Sequence, residues 1–493
     1  DSCLLILHDW SHDLLLDGKE IDKERGVINE EWRMRRSAMM RMYDTILPEV
    51  YPNCKYGYRM PIGTMDVVMN FPYEAIRSYY RKWYRPDLQS ILIVGDIDVD
   101  DIEQRIKTVF ADIKAVENPA PREHIAVPDN AEPIFSLAKD KEQQHNIAMF
   151  FWKTDPIPDE IKPSLQYTLI DYMLNAMGTM FQERIDEILQ KENAPFLAAT
   201  FGYGNFLLSK TKDAFQGQVV FKDNGQKEAI KALYREILRA KRFGFTVSEF
   251  ERFKAEYLSR IESSYLHRDK ITNTQYVEQY VRNFIDNEQV PGIEWEYQTM
   301  NQLVPNVPVD GVNGLIKQIP DSNFVIAVLC PDKEGLAYPT KEEVLSYLAE
   351  VEAEDIEPYK EEVNNDPLIA NLGKPGKVKK IQDEKFGFKL ITLSNGIKVH
   401  VKETDFSPNQ ISMKAESWGG TAYYSNDEYM QSGNADLVSL GGWGNFSAID
   451  LQKKLSGIQA SATPTIDSRS EGISGSCVKK DFETMLQLTY LCF

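Results

Sequence analysis

The sequence predicts an α+β fold. An apolar strand pattern from Gln144 to Trp152 is followed by long helical patterns, a strand pair and more helices, and a second apolar strand, Asn323 to Leu329, closes the series. Strands and helices in runs rather than strict alternation mark that class. Short strands begin again after Phe386, beyond a polar stretch holding Asn364-Asn-Asp-Pro367 and Gly373-Lys-Pro-Gly376, so the chain carries more than one such unit.

The 493 residues leave room for about two to four domains. Hydrophobic content of 42% and charged content of 27% suit a globular chain. No apolar run reaches the length of a membrane span, so no transmembrane segment is expected. The net charge of −19 argues against nucleic acid as a partner, which would need a concentrated basic surface. Cys3, Cys54, Cys330, Cys477 and Cys492 are scattered and lack CxxC spacing, so neither a disulfide framework nor a cysteine zinc site is expected. Both ends fall inside apolar helical patterns, and the chain reads as an internal fragment.

Residues 1–18 read as a helix with Leu4, Leu5, Leu7, Leu14 and Leu15 at its apolar positions. His8 and His12 are four apart and can share a metal on one helix face, but no glutamate between them offers a general base. Two helix-surface histidines is the favoured reading. From Ile21 a second helix carries Glu24 and Glu31 into the basic stretch Arg33, Arg35 and Arg36. A loop-rich passage from Pro48 ends in Pro61-Ile-Gly-Thr64. Pro72 opens an amphipathic helix that runs to Tyr84. Arg85-Pro-Asp87 is a turn, and Ser90 to Val94 is a short strand ending in Gly95-Asp96; without a Gly-rich loop it is no nucleotide site. Asp98 or Asp100 caps the next helix, whose Ile102, Ile106, Val109 and Phe110 fall at helical spacing. Residues 114–135 are Pro-rich and aperiodic, as a linker would be.

Further on, Pro163 to Met177 and Gly178 to the Gln190 region read as helical, Phe206 to Phe221 as a strand pair, and Gln226 to Arg242 and Val247 to His267 as helices. Leu393-Ser-Asn-Gly396 is a turn joining strands Lys389–Leu393 and Ile397–Lys402. A further strand runs into Gly419-Gly420, a capped helix spans Asp450 to Leu455, and strands lead on to Lys480. His145, His267 and His400 have no ligand partner nearby in the sequence.

The one constellation with metal chemistry in it is Glu24 and Glu31. Seven residues are nearly two helical turns, so both carboxylates leave one face, with Val27 and Ile28 between them. A carboxylate on a half-buried face needs a cation or a donor, and a metal held by one glutamate and supported by the other meets that need. Ordinary solvated helix carboxylates have the same spacing.

Glu24-Arg-Gly-Val-Ile-Asn-Glu-Glu31 resembles the glutamate segment of the insulinase/pitrilysin family of zinc peptidases. The order Pro61-Ile-Gly-Thr64, helix, Trp83-Tyr-Arg-Pro-Asp87, strand and Val94-Gly-Asp96 is similar to the second half of that family's metal-bearing domain. The resemblance implies that Glu31 is the third zinc ligand, that Glu24 supports the site from behind, and that the histidines of an inverted His-x-x-Glu-His motif lie before Asp1. It implies repeated domains, each a mainly antiparallel sheet packed by helices. Residues 1–115 would be the C-terminal part of a metal-bearing domain, 116–140 a linker, 141–350 a metal-free domain, 351–385 a connector, and 386–493 the start of an inactive copy of the first. In that copy Asn434-Ala-Asp-Leu-Val-Ser439 stands where an active one would carry the motif, with no His or Glu.

The implied function is a Zn2+ metalloendopeptidase that cleaves peptides or unfolded polypeptides in an enclosed chamber. The fragment itself would be inactive, since it holds one ligand of three. The alternative is a non-catalytic scaffold or partner subunit of the same fold. A homo-oligomer and a bacterial periplasmic or cell-envelope setting are compatible with the resemblance.

Overall fold

A computed structural model describes residues 2–432, 437 and 440–492. The chain forms two compact units. The first comprises residues 1–245, 272–290 and 308–359; the second comprises 246–271, 291–307 and 360–493.

The first unit is built on a five-stranded sheet: β1 (Ile134–Asp140), β2 (Asn146–Thr154), β3 (Ala198–Asn205), β4 (Asp213–Phe221) and β5 (Phe324–Pro331). Their order is β1-β5-β2-β4-β3. Only β1 and β5 run parallel; every other pair is antiparallel. All eight residues of β5 are buried, because β5 is flanked by strands on both edges and covered on both faces. That double burial explains its unbroken apolar run.

The two faces alternate with period two. Met149 and Phe151 of β2 and Val325, Ala327 and Leu329 of β5 pack against Met42, Ile46, Leu47 and Val50 of the helix Ala38–Val50. On the other face Trp152 stacks on Phe324 at 4.9 Å and on Tyr234 of the helix Gln226–Phe243 at 6.3 Å. Gly217 in β4 lets that helix approach, since a Cβ there would meet Ile237 at 3.3 Å. Arg41 ties the Ala38–Val50 helix to the end of β1 by a two-pronged pair with Asp140, at 2.6 and 2.7 Å, which holds the Asp140 carboxyl down at about 2.

The first sheet begins earlier than the sequence suggested. β1 lies inside the Pro-rich stretch read as linker, because its pairing with β5 nearly two hundred residues away leaves no local signal. The first strand of the predicted Phe206–Phe221 pair is Ala198–Asn205, upstream of Phe206, which sits in the connecting loop. The two helical patterns from Pro163 form one helix, Leu165–Leu189. The stretch Ser90–Val94 is not a strand, since it has no hydrogen-bonded partner strand among the described residues. The helix predicted over 1–18 stops at His12; Leu16 takes a φ of 46° and Asp17 caps the next helix, so Leu14 and Leu15 stand exposed in the break.

In the second unit β6 (Val378–Asp383), β7 (Lys389–Leu393) and β8 (Lys398–Val401) form one antiparallel sheet. β9 (Gln410–Trp418), β10 (Ala460–Ile466) and β11 (Ser470–Val478) form another, ordered β10-β11-β9. β6 falls inside the predicted connector. The helix Phe482–Leu491 buries Leu488 against Ala462 and Ile473. The helix Val247–Leu266 belongs to this unit: Gln459 donates to the Ser259 carbonyl at 2.8 Å and Lys480 pairs with Glu262 at 2.9 Å. Apart from Leu437, the Asn434–Ser439 stretch lies outside the described residues.

The deepest ion pair in the first unit joins Arg184 to Glu236 at 3.2 Å, with both side chains 2% exposed or less. Arg184 is sandwiched between Phe245 and Tyr359 and donates to the Gly244 carbonyl, and Arg239 also pairs with Glu236. Glu236→Gln removes a buried charge from beneath two guanidinium groups. It should lower stability by about 3 kcal/mol in urea unfolding. A loss within error of zero would mean that the pair contributes no more than a surface pair.

Candidate functional site

The helix Gly18–Arg35 carries the candidate glutamates. Asp17 caps it by accepting from the Lys19 amide at 2.9 Å, Glu20 lies in the first turn, and Arg33 and Arg35 complement the dipole in the last. Lys23–Glu20, Arg33–Glu30 and Arg35–Glu31 pairs line its solvent side.

Its buried stripe is Ile21 and Arg25, continued by the half-buried Ile28 and Trp32. At 100° per residue, Glu24 and Glu31 stand roughly 60–80° round from that stripe, on its shoulder, and Val27 stands farther round still. Glu24 is exposed and Val27 is 56% exposed, so the expected half-buried apolar face between the glutamates is absent. The two carboxylates do share a side, as the spacing required, but Glu31 is the more sheltered. It is 38% exposed, is paired with Arg35 at 2.8 Å, and opens onto a cavity of about 510 Å³ lined also by Trp32, Met40, Met60, Pro61 and Ile62.

Arg25 sets the rotation of this helix. Its guanidinium is buried, donates to the carbonyls of Val68 and Phe71, pairs with Asp22 at 3.1 Å, and lies 4.1 Å from the Phe71 ring centroid. Tyr73 donates to the second Asp22 oxygen at 2.6 Å, and this bond, followed by Arg25, lowers the Asp22 pKa. In the sequence Arg25 stands between two glutamates and so resembles a surface residue. The pattern Ile21, Arg25, Ile28, Trp32 was the available signal: the arginine sits on the apolar stripe.

The histidines depart from expectation. His8 is not on the surface but buried. Its Nε2 lies 3.0 Å from Asp112 and its Nδ1 3.3 Å from Asp9, and Phe110 meets its ring edge-on at 5.5 Å. Asp112 and then Asp9 raise the His8 pKa, while Asp112 is lowered by the same bond. His8, Asp9 and Asp13 are the only His, Cys or carboxylate group among the described residues close enough to hold a metal. Both ring nitrogens of His8 already face carboxylates, and His12 is not part of the group.

Zinc centres take about four ligands. Among the described residues no histidine joins Glu31, and no His-x-x-Glu-His occurs in the 493 residues. The residues present therefore do not make a zinc site by themselves; Glu31 offers one carboxylate.

Comparison with known proteins places this geometry. The peptidase M16 inactive domain model matches residues 70–257. The zinc protease PQQL-like protein of Arabidopsis thaliana is 26% identical over 441 residues, covering 88% of this chain and 42% of its own length. The crystal structure of the periplasmic protease PqqL from Escherichia coli aligns with a TM-score of 0.65 at 20% identity over 99% of this chain and 54% of its own. That of pitrilysin aligns with a TM-score of 0.63 at 14% identity over 99% and 51%. The fold, helices packed on mainly antiparallel sheets, is that of these peptidases. In sequence and in fold the chain is similar to zinc peptidases of the insulinase/pitrilysin family. It spans about half the length of the proteins it matches.

The His8 cluster makes a pH prediction. With its folded pKa raised, His8 contributes fully below its ordinary value of about 6.5 and loses that contribution as pH climbs through the raised value. Asp112, lowered, contributes above its ordinary value and loses that as pH falls through the depressed one. The unfolding midpoint of His8→Gln should trail wild type most near about pH 5–6 and least near about pH 9. A gap independent of pH would show that His8 acts by packing alone.

Proposed function

We propose that this chain is part of a zinc metalloendopeptidase acting on peptides or unfolded polypeptides, with Glu31 as a metal ligand and Glu24 as its support. The observation that carries the reading is the placement of Glu24 and Glu31 on one side of a helix whose rotation Arg25 fixes, in a chain whose matched relative is named a zinc protease. The histidine ligands would come from residues outside the 493, completing a site to which this chain lends one carboxylate. Zinc in such a site would supply Lewis acidity and an activated water. This chain's own part is to hold the carboxylate in place and to bind substrate.

The sheet edge supports the second role. β3 pairs only with β4 among the described residues, so its other edge is open. An extended polypeptide can add to such an edge by backbone hydrogen bonds, a mode that selects unfolded over folded chains. Among the described residues the region after β1 has no cluster close enough to hold a metal, and the part of it inside the inactive-domain match serves in this reading as the substrate-holding domain. A periplasmic setting follows the Escherichia coli protein whose fold the chain shares.

The test uses the intact protein. Wild type should hold about one zinc per chain and cleave an unstructured peptide, Glu31→Gln should lose both, and Glu24→Gln should weaken zinc affinity by roughly 10–100-fold. Residues 1–493 alone should neither retain zinc nor cleave. A zinc-free, inactive, well-folded wild type would point instead to a scaffold subunit.

A further inference from the structure

The cavity that Glu31 opens onto is lined from two segments. Glu31 and Trp32 come from the helix Gly18–Arg35, and Pro61, Ile62 and Gly63 come from the chain that leads into the short helix Met65–Asn70. Thr64 alone separates Gly63 from that helix, and the Gly63 amide closes a turn on the Met60 carbonyl at 2.9 Å. Wherever the short helix sits, the Pro61–Gly63 lining sits with it.

Apolar packing does not seat the short helix, since none of its residues is buried. Its last turn also lacks a donor. In a helix that ran on, the Val68 carbonyl would accept from the amide of residue 72. Residue 72 is Pro, which has no N–H, and Phe71 before it is extended, at φ −61° and ψ 140°. Arg25 supplies what Pro72 withholds. One arm of its guanidinium donates to the Val68 carbonyl and the other to the Phe71 carbonyl at 2.7 Å, with the Phe71 ring centroid 4.1 Å away. Its Nε donates to Asp22 at 3.1 Å, on the glutamate helix itself, and Tyr73 donates to the other Asp22 oxygen at 2.6 Å.

We propose that Arg25 is the positioning residue of the Glu31 cavity. One buried guanidinium joins the helix that carries Glu31 to the segment that supplies Pro61–Gly63, and so fixes the separation of the two sides. The planar fork matters as much as the charge. A lysine ammonium is a single point and cannot hold Asp22 and two carbonyls in the same geometry. Arg25 is given no contact with metal or substrate in this role; it acts through the placement of Glu31 and of the Pro61–Gly63 lining.

Where zinc is concerned, the inference rests on the reading of Glu31 as a ligand. The test therefore takes two readouts on the full-length protein. One is hydrogen exchange at the amides of residues 60–71 with EDTA present; the other is zinc affinity by competition with a chromophoric chelator. R25K should speed exchange at the Gly63, Val68 and Phe71 amides by about tenfold or more. It should also weaken zinc binding by roughly 10–100-fold. Glu236→Gln, which removes a buried ion-pair partner elsewhere in the first unit, is the control for a plain loss of stability and should change neither. Should R25K not fold, F71L removes the ring beneath the guanidinium, leaves the carbonyls, and should shift both readouts in the same direction. Unchanged exchange in the folded variant, unchanged zinc affinity where wild type binds zinc, or an equal shift in Glu236→Gln overturns the positioning role. A wild type without zinc overturns the ligand reading of Glu31 instead, and exchange alone then decides the role of Arg25.

Discussion

The orientation of the candidate metal position depends on one buried guanidinium. Arg25 sits on the apolar stripe of the Gly18–Arg35 helix, its donors taken by Asp22 and by the carbonyls of Val68 and Phe71. A helix with only Ile21 and Arg25 fully buried has little apolar surface with which to define its own rotation. The directional bonds of a guanidinium do so instead, because each has one productive geometry and a buried unpaired cation is costly. With Arg25 inward, Glu24 and Glu31 must point to the shoulder of the stripe, and Glu31 opens onto its cavity. The rest of the proposed chemistry follows from that orientation.

A second constraint operates at the sheet. β5 is buried along its whole length, and the strands on either side leave β1 and β3 as edges. An open edge is a liability unless it is used or covered. In the reading proposed above the β3 edge is used: backbone pairing there would supply a sequence-independent hold on an extended polypeptide. The first unit thus contains both the glutamate helix and the open edge on one packed body, with the Arg41–Asp140 pair and the Met42, Ile46 and Val50 contacts joining its helical part to the sheet.

Much of this was legible in the sequence where the signal was local. The apolar runs at Asn146–Trp152 and Phe324–Leu329, the hairpin turn at Leu393–Gly396, the helix Gln226–Phe243 and the glutamate spacing all lie where periodicity and turn chemistry put them. What failed depended on distant partners. β1 is a strand because β5 lies beside it, and Ser90–Val94 is not one because no partner strand reaches it among the described residues. His8 became a buried residue because Asp112, a hundred residues away, meets its ring. A cavity beside β3 is assembled from Tyr167 and Asp171 of one helix together with Gly202, Asp213 and Glu288, segments too far apart in the chain to read as one motif.

The central claim is that the Glu31 carboxylate is a zinc ligand. The most direct measurement is anomalous scattering at the zinc edge from crystals of the full-length protein. The account predicts a single strong peak with a Glu31 carboxylate oxygen at about 2.0–2.2 Å, histidine nitrogens completing the set, and Arg35 turned away. A peak elsewhere with Glu31 still paired to Arg35, or no peak in a well-ordered crystal grown with zinc, would contradict it.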